Sequence, residues 1–80
     1  MATLPDPEQI GLSLLRVFAR FDIRPGQMLV FNSLHPGFLN DGGNAADYDA
    51  GIDWLETKGF LRREFPRGPY FLTDAGFATM

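Results

Sequence analysis

The carboxylates crowded into "DYDAGIDWLE" are the first residues whose spacing could do chemistry. Asp47 and Asp49 imitate the start of a calcium loop. Counted from Asp47, position six is Ile52 where glycine is needed, and position twelve is Lys58 where glutamate is needed, so the loop fails. His35 is the single histidine and there is no cysteine, so a transition-metal site lacks ligands. A nucleophile would need Ser13, Ser33 or a threonine beside His35 and an acid. Ser33 and His35 are two apart at a helix end and do not face each other in helical geometry. "DGGN" lacks the Gly-Lys-Ser/Thr ending of a phosphate cradle. No catalytic, cofactor or metal-binding residue is expected, and the chemistry left to the charged groups is non-covalent binding.

Two charge arrangements are candidates for it. Asp49, Asp53 and Glu56 recur at i, i+4 and i+7 and fall on one helical face, with Asp47 at its start. That stripe reads as a solvated face, as a docking surface for a basic partner, or as a face turned to DNA. A base-reading helix needs donors such as Arg, Lys, Asn or Gln, and a row of carboxylates repels phosphates. Trp54 beside the stripe reads as a flank of the core or as a half-exposed anchor for a protein partner. The second arrangement is basic: Arg62, Arg63 and Arg67 stand in "FLRREFPRG" against Glu64 alone. They either balance nearby carboxylates or contact phosphates or an acidic partner.

The elements that must position these groups follow from periodicity and punctuation. Asp6 suits an N-cap, with Pro7 at the first helical position and Gln9 at the third. Ile10, Leu14, Val17, Phe18 and Phe21, broadened by Leu15, predict a buried stripe on a helix over 7–21. Gly11 weakens that helix by roughly 1 kcal/mol relative to alanine. Pro25 suits the start of a second helix through "GQMLVFNSL", stopped by "HPG". "GFLNDGGN" reads as a loop, with Asn44 capping a third helix, "AADYDAGIDWLETK". Tyr48, Ile52 and Leu55 form its buried stripe, and Gly59 ends it at C′. "FLRREF" and "PYFLT" read as two strands joined by "PRG", with Pro66 at the corner. Alternation puts Leu61, Arg63 and Phe65 on one face and Phe60, Arg62 and Glu64 on the other. Thr73 caps a final turn.

Eighty residues make one domain, 1–80, with 1–6 expected as a flexible tail. The apolar share of 45% and eight phenylalanines supply a core. Without cysteine there are no disulfides, and packing alone holds the fold. No run approaches the roughly 20 apolar residues of a membrane span, and the N-terminus lacks a signal-peptide pattern. A cytoplasmic protein without membrane contact is expected. The net charge of −3 disfavours generic polyanion binding.

The order of these elements, and the local string "DWLETKGFLRR", a turn, then "YFLTDAG", resemble bacterial winged-helix transcriptional regulators of the multiple-antibiotic-resistance-regulator and PadR types. Leu55, Glu56, Gly59, Phe60, Leu61, Arg63, Tyr70, Leu72, Thr73 and Gly76 carry the likeness. It implies an α+β winged helix: a three-helix core followed by a two-stranded antiparallel wing. It also implies a third helix that enters the major groove and a wing, Arg62 to Gly68, that lies along phosphates. The wing matches that role and the acidic helix does not. The reading is a non-catalytic binding module, without cofactor, whose protein partner meets Asp49, Asp53, Trp54 and Glu56. The alternative is a DNA-binding regulator contacting phosphates through Arg62, Arg63 and Arg67. Oligomeric state is left open.

Overall fold

The computed structural model describes residues 6–80. The expected tail falls almost wholly outside them, as does Pro5. Helix α1 spans Pro7–Arg20, and Asp6 stands at its N-cap with extended backbone but no side-chain capping bond. Ile10, Leu14, Leu15, Val17 and Phe18 are buried as the spacing predicts. Phe21 is not: it is 51% exposed. The reason is how the helix stops. Asp22 takes a left-handed φ of 55°, its N–H donates to the Ala19 carbonyl and that of Ile23 to Phe18. This double bond pattern closes the last turn and swings the chain away with Phe21 outside it.

The segment after α1 departs from the expected second helix. Arg24–Gln27 is a turn, closed by the Gln27 N–H to the Arg24 carbonyl at 2.9 Å. Gly26 has a φ of +85°, so Pro25-Gly26 forms the corner of a turn rather than a helix start. Strand β1, Met28–Leu29, follows. Helix α2 then runs Phe31–Asn40 and passes through Pro36 and Gly37. Proline inside a helix costs about 3 kcal/mol. Here it is offset by Leu34 and Phe38, one turn apart and both buried, and by Gly37, where a Cβ would meet Val17 Cγ1 at 2.7 Å. His35 and "GFLN" are thus helical, not loop.

A 3₁₀ turn, Ala45–Asp47, is capped by Asn44, whose side chain accepts from the Ala46 N–H. It leads into helix α3, Tyr48–Thr57. Tyr48, Ile52 and Leu55 are buried. Gly59, at φ +77°, ends α3. Helices α1 and α3 approach through glycines. A Cβ on Gly51 would lie 2.5 Å from Ile10 Cγ2, and one on Gly11 would lie 2.6 Å from Trp54 Cε3. The helix propensity lost at Gly11 is therefore the condition for seating Trp54 on α1.

Strands β2, Leu61–Arg63, and β3, Tyr70–Leu72, form the hairpin. β1 adds to its far side, giving a three-stranded antiparallel sheet of order β1-β3-β2. Register sorts the side chains. Leu29, Tyr70 and Arg63 form one cross-strand row, and Met28, Phe71 and Arg62 form the next on the opposite face. Leu29, Tyr70, Leu61 and Leu72 are buried, so Arg63 shares the core-facing side. Phe65, expected on that side, lies beyond β2 in the turn and is 64% exposed. A short helix α4, Asp74–Thr79, closes the described chain, with Thr73 Oγ1 accepting from the Gly76 N–H at 3.0 Å. The class is thus α+β as expected, and the described residues form four α-helices and three strands where three and two were expected.

The Tyr48 and Tyr70 hydroxyls are buried and have no hydrogen-bond partner among the described residues. Burial first, and the neighbouring Tyr70 next, push the Tyr48 phenol pKa well above its ordinary value. The unfolded phenol ionises near pH 10, roughly its free value. Stability is therefore unaffected by Tyr48 below about pH 10 and falls as pH rises above it, because only the unfolded chain releases the proton. Alkaline unfolding followed by circular dichroism should shift to higher pH in Tyr48→Phe. Coincident midpoints would contradict this.

Candidate binding face between α3 and the hairpin

One turn of α3 separates each member of the row Asp49, Asp53 and Glu56, so the three project from one side of the helix. All three are exposed, and Asp47 at the preceding turn is half-buried. β2 lies next to the C-terminal half of α3, since Gly59 and Phe60 turn the chain directly back. Residue parity along β2 then decides which arginine meets the carboxylates. Leu61 must face the core, so Arg63 does too, and its longer side chain reaches past the core edge to α3. Arg63 Nη2 lies 2.7 Å from Asp53 Oδ1 and 3.3 Å from Glu56 Oε1. Burial alone would lower the Arg63 pKa; Glu56 and Asp53 outweigh it and hold the guanidinium above its ordinary value. Nη1 of the same residue donates to the Pro66 carbonyl at 3.4 Å, across the hairpin turn.

Arg67 follows at the tip. Its Nη1 is 3.6 Å from Asp49 Oδ1, and its guanidinium lies over the Phe31 ring, 4.9 Å from the centroid. Phe31 in turn stacks on His35 at 4.8 Å, and His35 meets Tyr48 edge-on at 4.9 Å. Exposed pairs such as Arg67–Asp49 contribute about 0.2–1 kcal/mol at most. Arg63, four-fifths covered and between two carboxylates, is the firmer anchor. Four carboxylates of the 47–56 segment stand against two guanidiniums, so the face keeps a net charge near −2.

Two expected site residues stand apart. Trp54 follows Asp53 by one residue, about 100° further round the helix. It is half-buried against Gly11 and Phe60, its ring 5.7 Å from that of Phe60, and Lys58 Nζ lies 5.9 Å from its centroid. This is a position at the flank of the core, away from the carboxylate row. Arg62, by the same parity that turns Arg63 inward, points out over Phe71 at 6.0 Å, and it makes no ion pair among the described residues. Phe31 joins the face without having been expected there. Its i, i+4 spacing to His35 is the one signal that could have placed it, and it is visible only once α2 is known to run through Pro36.

Among the described residues no three His, Asp or Glu side chains come together as metal ligands, and no helix is long and apolar enough to cross a membrane. No protein-family model matches the chain, and neither a curated protein nor a solved structure matches it.

Proposed function

We propose that the chain is a winged-helix domain acting in the cytoplasm as a non-catalytic protein-binding module, with the acidic side of α3 as its docking face. The order α1, β1, α2, α3 and a hairpin that pairs back onto β1 supports the fold assignment. The observation that carries the function is the pairing of Arg63 with Asp53 and Glu56 and of Arg67 with Asp49. The two hairpin arginines nearest the helix are engaged by carboxylates, and the face remains net negative. A positively charged protein segment is drawn to such a face, whereas a phosphate backbone is repelled.

Affinity capture from native cells with nuclease treatment tests the reading. Discrete partners should be retained by the wild-type chain and lost with Asp49→Lys combined with Asp53→Lys. Retention of every partner by that double variant would place docking elsewhere. The second reading, a DNA-binding regulator, is favoured by one feature: Arg62 is exposed and has no carboxylate partner among the described residues. It requires that micromolar protein retard duplex DNA at low salt, and that Arg62→Ala or Arg67→Ala weaken binding nearly equally for all sequences. No retardation is the expected result.

A further inference from the structure

We propose that the outer face of α1 is a self-complementary surface on which a second copy of this chain docks, the two α1 helices running antiparallel about a two-fold axis through Leu12. Glu8, Leu12 and Arg16 recur at i, i+4 and i+8, so they form one row on the side of α1 away from Leu14 and Val17. Glu8 and Arg16 are exposed, and Leu12 is half-buried at the edge of the core. Neither charge has an ion-pair partner among the described residues. They cannot serve each other, because eight residues at 1.5 Å each set them about 12 Å apart along the axis. Arg20, one turn further on, is already held by Asp41.

The spacing is what selects the occupant. Leu12 lies midway between Glu8 and Arg16 in the row. Half a turn about an axis through Leu12 therefore exchanges their places. Glu8 of each copy meets Arg16 of the other, and the two Leu12 side chains meet on the axis. A two-fold contact requires this self-complementarity, residue i touching j and j touching i. Rows of residues four apart are inclined about 26° to a helix axis, and two such rows lie side by side when the helices cross at about 50°, the commonest packing class. Beside the row, Leu12, Leu15, Arg16 and Ala19 line a groove bordered by Thr79 of α4. In the two-fold arrangement Glu8 of the second copy stands over that groove, with its methylenes on the apolar lining and its carboxylate toward the Arg16 guanidinium. A single helix face is a small contact, so the dimer is weak and reversible, and the charges fix its register. This surface lies on a different element from the carboxylate row of α3, and the inference does not rest on the docking reading.

Sedimentation velocity over a concentration series at low salt tests the proposal. The wild-type chain should pass from monomer to dimer as its concentration rises toward about 1 mM, the range of a weak contact. Arg16→Glu or Glu8→Arg sets like charges against each other at both ends of the row and should weaken dimerisation at least about tenfold. Both positions are exposed, and circular dichroism checks that folding is retained. The double variant, Glu8→Arg with Arg16→Glu, restores the pairing with the charges exchanged and keeps the wild-type net charge, so it should dimerise again. An equimolar mixture of the two single variants should form a heterodimer, since one chain then carries two cations in the row and the other two carboxylates. A wild-type chain that stays monomeric throughout the series would overturn the proposal. So would a dimer that survives Arg16→Glu, a folded double variant that fails to re-form it, or a mixture that yields no heterodimer.

Discussion

Truncating Phe18 to alanine should remove about 3–5 kcal/mol of stability, the range for deleting a fully buried phenylalanine. Phe18 has no exposed surface and sits in the cluster that joins α1 to α2, α3 and the sheet. A chain of this length has roughly 4–12 kcal/mol in total, at about 0.05–0.15 kcal/mol per residue. The single change therefore removes between about a quarter and all of it. Urea unfolding followed by circular dichroism would show either a midpoint lowered by a large fraction or no folded baseline. A midpoint unmoved within error would mean that the cluster is not the core. The neighbouring Phe21, 51% exposed, supplies the contrast: Phe21→Ala should change stability by less than about 0.5 kcal/mol, as surface substitutions do.

Gly76→Ala should be the next most damaging change. Alanine ordinarily improves a helix by about 1 kcal/mol over glycine. At this position, however, a Cβ would stand 2.1 Å from the Phe60 carbonyl oxygen and 3.0 Å from Leu72 Cδ1. The first of these is backbone and cannot rotate away. That carbonyl also accepts from the Thr73 N–H at 3.3 Å, while Thr73 Oγ1 donates to the Gly59 carbonyl at 2.7 Å. The corner after β3 is thus bonded to the corner after α3, and α4 cannot shift without breaking those bonds. Overpacking of this kind costs about 1–3 kcal/mol and occasionally more. We expect a net loss of about 2 kcal/mol after the propensity gain, read as a lowered urea midpoint at unchanged slope. A stabilised Gly76→Ala chain would show that α4 is not seated on Phe60.

Helix α1, helix α3 and the hairpin were legible in the sequence because each is long enough, or sharply enough punctuated, to announce itself locally. Ile10, Leu14, Val17 and Phe18 carry the period, and Gly59 marks a stop that the left-handed backbone confirms. The middle of the chain was not. Strand β1 is two residues long and exists only because β3, forty residues on, offers it a partner. Pro25-Gly26 is consistent with either a helix start or a turn corner, and Pro36 argues against a helix that tertiary burial of Leu34 and Phe38 nevertheless maintains. At the candidate site, alternation correctly grouped Arg63 with Leu61. What alternation could not supply was the distance from β2 to α3, and that distance converts two separate charge patterns into one set of ion pairs. Trp54, adjacent to Asp53 in sequence, is carried to another side by the helix itself. Gly76 sits in "YFLTDAG", yet nothing local to it reveals the carbonyl it lies against.

The sheet has two open borders, and neither is built to recruit another strand. β1 offers only Met28 and Leu29, pinned by the Pro25-Gly26 corner on one side and the start of α2 on the other. β2 carries Arg62 and Arg63 along its length. A short border and a charged one are both poor templates for edge-to-edge growth. Concentrated solutions of this chain should accordingly resist fibril formation despite its many aromatic side chains, and any assembly it forms must come from faces other than the rims of its ribbon.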